Sequence, residues 1–130
     1  QQIVLKIYFQ GLVKKLEIAV TKKTDELSLG NLKKVGIVLA LMHGPKLVIL
    51  DEPTSGLDPA STQMINELIL YLRDTFDMTI VVITHDLETI KTVLDKFIIL
   101  KRDIIFNGNI TEAMNSDDDF IKDFLTNKKA

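Results

Sequence analysis

Two adjacent carboxylates, Asp51 and Glu52, end the apolar run Leu47 to Leu50 and are followed by the turn-forming residues of PTSGLDP. Such a pair at a strand end can divide a hydrolytic task. One carboxylate binds Mg²⁺, usually through water, and the other accepts a proton from an attacking water. Side chains alternate along a strand, so the two address one spot only if the chain turns there; Pro53 is expected to hold Glu52 extended and to delay any helix. The plainer alternative is a pair of solvated loop carboxylates. Ser28 and Gly30, in ELSLGN, stand just before an apolar helical stretch, where unpaired N–H groups and the helix dipole receive a phosphate and a glycine allows close approach. Ser28 could equally be an N-cap and nothing more. His85 follows the apolar MTIVVIT and precedes Asp86, a junction from which a neutral imidazole can hydrogen-bond a phosphate oxygen or position a water, or simply pack. His43 reads as a surface residue near a helix end. Asp58, before Pro59, has a ready capping role, and with Gly56 free to adopt positive φ the turn Ser55 to Asp58 forms an exposed rim, a candidate contact surface for a second subunit.

These residues need elements to hold them. Leu47 to Leu50, between Pro45 and Pro53, is too short and uniformly apolar for an amphipathic helix and reads as a strand covered on both faces, as in parallel sheets whose ligands collect at the strands' carboxyl ends. Upstream, Ile3, Val4, Ile7, Tyr8, Leu12 and Leu16 fall at helical spacing, giving one or two helices over residues 2–19 with Gly11 as a break. A mostly buried helix over residues 29–43 stops at Gly44 and Pro45. Asp58 and Pro59 open a helix to about Phe76 with Met64, Leu68 and Leu72 on one side. MTIVVIT is a second strand, and Asp86 caps a helix with inner stripe Leu87, Ile90 and Leu94. FIILKRDIIFNG reads as a hairpin around Lys101 to Asp103, and Phe120, Ile121, Phe124 and Leu125 give a last helix its apolar face. The order is α/β, with right-handed crossovers between parallel strands flanked by helices.

The chain of 130 residues is 46% hydrophobic and 26% charged, an ordinary globular composition for one domain or less. Cysteine is absent, which excludes disulfides and thiolate metal sites, and two histidines argue against a histidine-rich metal centre. A net charge of −2 supplies no long-range attraction for nucleic acid or anionic membranes, so a polyanionic ligand must be held locally. The apolar runs fall well short of the ~20 residues a membrane span needs. QQIVLKIYFQ does not form a signal peptide, and a start at glutamine suggests a segment of something longer.

Taken in order and at these separations, LSLGN, ILDEPTSGLDP and ITHD resemble the second half of the nucleotide-binding domain of an ATP-binding cassette (ABC) protein. The resemblance implies a partial P-loop NTPase (RecA-like) core plus the end of an α-helical subdomain. Residues 1–45 would be that end with the ABC signature, 46–101 the C-terminal half of the ATPase core, and 102–130 the closing strand and helices. In a signature of LSGGQ type, Leu27, Ser28, Gly30 and Asn31 hold the first, second, fourth and fifth places; Leu29 replaces the third-place glycine and Asn31 the glutamine. Ser28, Gly30 and Asn31 would then meet ATP in trans. By the same resemblance Asp51 is the Walker B carboxylate near Mg²⁺, Glu52 the general base, Ser55, Gly56, Leu57 and Asp58 the D-loop across the dimer contact, and His85 the switch histidine near the γ-phosphate. Lys33 and Lys34 alter the arginine-rich helix of the family. KKLEIAVTKKTDELSLG and NSDDDFIKDFLTNKK are similar to the corresponding stretches of Mla-type lipid-asymmetry and solvent-resistance ATPases, which implies lipid transport.

No GxxxxGK[ST] occurs in these residues, so the loop that cradles the β- and γ-phosphates must come from elsewhere. The family's glutamine loop and adenine-stacking aromatic cannot be placed, and Gln10 and Tyr8 are not assigned to those roles. The implied cofactors are ATP and Mg²⁺; the implied partners are transmembrane permease subunits, a second nucleotide-binding domain and the missing N-terminal half, with no nucleic acid. The implied location is cytoplasmic, peripheral on the inner membrane. The chain alone is expected to be inactive. Two alternatives remain open: a non-catalytic remnant acting as an interaction module, and an ABC ATPase of the chromosome-structure or DNA-repair kind, which lacks support from heptads or a basic patch.

Overall fold

The computed structural model describes residues 10, 11, 13, 14, 28–41 and 43–126. Gln10, Gly11, Val13 and Lys14 are helical. The rest of the helix expected over residues 2–19 lies outside the described residues, as does Leu27 of the signature-like motif. The chain divides into two compact units, Gln1–Thr84 and His85–Ala130.

In the first unit, α1 (Leu29–Leu41) leads through Gly44 and Pro45 to β1 (Leu47–Asp51). Gly44, at φ 64°, donates its N–H to the Leu41 carbonyl at 3.0 Å, the turn that ends the helix. After the PTSGLD turn, α2 (Pro59–Phe76) crosses to β2 (Thr79–Ile83). Asp58 caps α2, Pro59 sits in its first turn, and Asp77 closes it in the left-handed region at φ 48°. β1 and β2 run parallel, with Leu47 opposite Thr79 and Asp51 opposite Ile83, and helix α2 is the crossover between them. Thr79 N–H to the Lys46 carbonyl, at 2.8 Å, sets the start of this register.

Ile65, Leu68, Ile69 and Leu72 are the buried stripe of α2, joined by Ile37, Val38 and Leu41 of α1, Val48 and Met78. Leu68 and Leu72 are buried as expected, whereas Met64 is exposed and Ile65 and Ile69 complete the buried stripe. Helix α1 is also less enclosed than its composition implies. Leu29, Leu32 and Leu39 are exposed, whereas Lys34 is 7% exposed and sends its Nζ to Met64 Sδ at 3.7 Å.

The expectation that β1 is covered on both faces is overturned. Leu47 and Ile49 are 56% and 63% exposed, and across the pair Val81 and Ile83 are 44% and 53% exposed. Val48, on the opposite face, is buried. Parallel strands are normally covered on both sides by crossover helices, and the described residues supply only one of those layers.

In the second unit, α3 (Leu87–Val93) precedes the antiparallel hairpin β3 (Phe97–Leu100) and β4 (Ile104–Gly108), then α4 (Ile110–Met114) and α5 (Asp119–Thr126). The third strand does not extend the parallel pair: β3 and β4 make a separate two-stranded sheet, paired antiparallel across the short Lys101–Asp103 link. Ile90, Phe97, Ile99, Ala113, Ile121 and Leu125 form its core. Leu87 and Leu94, partly buried, pack against this core with Ile90 as expected, and Thr89 and Val93 are buried as well. Phe120, expected to face inward, is exposed, with Lys101 Nζ 5.2 Å from its ring centroid. Asn109 and Glu112 make a reciprocal capping box at α4, its two bonds 2.9 and 2.8 Å long.

Candidate functional site

The site builds from the carboxyl end of β1. Asp51 continues the exposed face of Leu47 and Ile49 and is itself exposed. Glu52 breaks the alternation. Its φ is 45°, left-handed instead of the extended conformation that Pro53 alone would favour. Three hydrogen bonds account for the difference. Glu52 N–H donates to the Ile83 carbonyl at 2.8 Å, and the Glu52 carbonyl accepts from Ser55 N–H at 3.2 Å and from Lys33 Nζ at 2.9 Å. Thr84 Oγ1, just past β2, donates to Glu52 Oε2 at 3.4 Å. The chain turns between the two carboxylates, the condition under which neighbours can address one region.

The PTSGLD turn is tight, with Pro53 and Thr54 buried, Gly56 at φ 76°, and Leu57 N–H on the Thr54 carbonyl at 3.2 Å. Ser55, Gly56 and Asp58 are exposed and Leu57 is half-buried, so the expected rim is present as a surface. A side chain at Gly56 would be strained, and its Cβ would lie 3.2 Å from Leu29 Cδ2. Leu29, where the family signature has glycine, thus leans on this turn.

Asp58 accepts from Ser61 Oγ at 2.6 Å and from Ser61 N–H at 3.0 Å. These two bonds, the hydroxyl first, hold its carboxyl below the usual aspartate range. A depressed acid stabilises the fold above its unfolded pKa and loses that contribution as pH falls through its folded pKa. We expect carbon-detected NMR to find Asp58 titrating below the ordinary aspartate range, and Ser61→Ala to move it back up. An unchanged value in that variant would remove Ser61 as the cause.

At the start of α1, Asn31 N–H donates to Ser28 Oγ at 3.3 Å and Leu32 N–H to the Ser28 carbonyl at 2.9 Å, so Ser28 caps the helix. Gly30 is buried, and a Cβ there would sit 3.4 Å from Ser61 Oγ. The signature-like segment and the first turn of α2 therefore touch within this unit. His85, exposed, opens the second unit; Asp86 next to it caps α3 through Glu88 N–H and Thr89 N–H, each 3.2 Å away. His43 is exposed beyond α1. Among the described residues no group of three or more His, Asp or Glu could hold a metal ion by itself. None of their helices is long and apolar enough to cross a membrane.

The sequence marks Lys33 only as a departure from the family's arginine-rich helix and Thr84 only as part of ITHD, with no sign of their contacts to Glu52. A lysine one turn into a helix carries no mark of a distant main-chain acceptor. Thr84 could have been suspected, since it follows a strand expected to pair with the one ending at Asp51.

A family model described as ABC transporter matches residues 7–55. The methionine import ATP-binding protein MetN of Protochlamydia amoebophila is 39% identical over 104 residues, 79% of this chain and 29% of that protein. The "Probable ribonucleotide transport ATP-binding protein mkl" of Mycobacterium bovis is 30% identical over 109 residues, 83% of this chain and 30% of that protein. Among solved structures, cbiO1 of Clostridium perfringens, part of the ABC transporter complex cbiONQ, superposes with a TM-score of 0.75 at 29% identity. It matches over 96% of this chain and 51% of its own length. The chain thus spans about half the length of that structure and under a third of those curated relatives.

Proposed function

From a chain that belongs to the ATP-binding proteins of ABC transporters, with their mixed α/β fold, we infer part of an ATP-hydrolysing core that works once a companion segment supplies the phosphate-binding loop. The observation that carries this reading is the left-handed turn at Glu52, which sets a carboxylate beside the Thr84 hydroxyl one residue after Asp51. In this role Glu52 takes the proton of an attacking water, while the Thr84 hydroxyl and the Ile83 carbonyl hold the glutamate in place. His85 contacts the terminal phosphate. Ser28, Gly30 and Asn31 meet nucleotide held by a second domain, and Ser55, Gly56, Leu57 and Asp58 line that contact.

Among the described residues no carboxylate cluster could hold Mg²⁺ by itself, so Asp51 would hold the ion through water, together with the nucleotide's phosphate oxygens. Bound MgATP would supply the phosphoryl group and neutralise its developing charge. Residues 1–45 serve as the end of a helical subdomain, 46–101 as half of the core and 102–130 as its closing segment. The similarity of KKLEIAVTKKTDELSLG and NSDDDFIKDFLTNKK to Mla-type ATPases supports lipid as cargo, with the subunit held by a permease on the cytoplasmic face of the inner membrane.

A second reading, an interaction module without catalysis, is favoured by the lack of GxxxxGK[ST] in the 130 residues. Complementation separates the two. A companion segment carrying that loop, encoded beside this chain or taken from the MetN relative, is added and association is followed by sedimentation with and without MgATP. We expect pairing that depends on ATP, and no turnover by the chain alone. A complemented, folded domain whose pairing ignores ATP would leave only the interaction module.

A further inference from the structure

A left-handed backbone is disfavoured for any residue with a Cβ, so the turn at Glu52 has to be held. Two of its restraints are main-chain bonds belonging to the sheet and to the PTSGLD turn: Glu52 N–H to the Ile83 carbonyl and Ser55 N–H to the Glu52 carbonyl. The third comes from another element. Lys33, on α1 and half-buried, places Nζ 2.9 Å from the Glu52 carbonyl oxygen. Its ammonium is thereby directed at a main-chain carbonyl oxygen and not at the Glu52 carboxylate. A charge-assisted donor is therefore committed to a main-chain carbonyl at the residue whose conformation is least favourable.

We propose that Lys33 is a positioning residue for Glu52: its ammonium holds the carbonyl of the left-handed turn and so keeps the carboxylate beside Thr84. Lys33 lies two residues past Asn31, in the helix that Ser28 caps. A displacement of that helix end is then felt at the carboxylate through a single hydrogen bond, without passing through the β-strands. The side chain does not itself approach a reacting atom. The effect on backbone conformation stands on the geometry alone, whereas the effect on catalysis rests on the ATPase reading above.

The test reads the two separately. In the full chain, the intraresidue amide-to-Hα NOE of Glu52 is strong while φ is positive and weakens about fivefold when the residue becomes extended. Lys33→Met should lose the strong NOE and Lys33→Arg, which keeps a charged donor, should retain it. A strong NOE persisting in Lys33→Met overturns the proposal. If Lys33→Met does not fold, Glu52→Gly is added to it, since glycine adopts the turn without strain: restored folding supports the clamp, and none overturns it. In the complemented domain Lys33→Met should lower kcat about tenfold at unchanged KM, with most of it recovered by Lys33→Arg. Loss of the NOE with kcat unaltered overturns the catalytic part. A wild-type assembly that hydrolyses no ATP counts against the ATPase reading, and the NOE then decides the positioning by itself.

Discussion

Glu52→Gln should reduce ATP turnover by the complemented domain about 10²- to 10⁴-fold while ATP-dependent pairing survives. Glutamine keeps the length of the side chain and an oxygen that can accept from Thr84 Oγ1, which lies 3.4 Å from Glu52 Oε2. What it loses is the ability to take a proton from water. Steady-state turnover measured alongside sedimentation distinguishes this from a folding defect, because misfolding would remove pairing too. Turnover within tenfold of the parent would mean that the base is another group.

The second large effect concerns the open side of the parallel pair. Ile49→Lys should change the folding stability of the chain alone by no more than about 0.5 kcal/mol, since that side chain already meets water. In contrast, truncating the fully buried Ile65 to alanine should cost about 2–5 kcal/mol. Docking of the companion segment is where Ile49→Lys should act. A lone ammonium enclosed between apolar layers costs several kcal/mol, so affinity for the companion should fall about 100-fold or more. Chemical denaturation and titration of the companion give the two numbers. Unimpaired docking would show that the exposed face of Leu47, Ile49, Val81 and Ile83 is not where the companion sits.

Local chemistry explains what was readable beforehand. The cap at Asp58 with Pro59, the positive φ of Gly56, the stop at Gly44, the cap at Asp86 and the hairpin about Lys101–Asp103 each depend on a few neighbouring residues, and each is present. Those signals operate within one turn of the chain, and at these positions no distant partner overrides them. The helix faces were harder. Met64 and Ile65 are both apolar and adjacent, and only tertiary packing decides which is buried. The bare face of β1 could not be read at all, because an apolar run reports its need for cover and says nothing of which polypeptide provides it. Of the candidate site, the residue types at 28–31, 51–52, 55–58 and 85 were legible as a set. The left-handed Glu52 and the lysine beside its carbonyl were not, since a long-range donor overrode the local preference of a residue before proline.

The hairpin and its two closing helices have a consequence for biogenesis. The Phe97 and Phe106 rings lie tilted at 39° with centroids 5.1 Å apart, and Ile121 and Leu125 close over the same cluster, so the buried residues of this core, from Ile90 to Leu125, lie fewer than fifty positions apart. Loops that short close quickly, and low contact order favours early structure. This second unit can therefore condense early in folding, while the strand pair keeps an adhesive surface. Chaperone demand should concentrate on that surface.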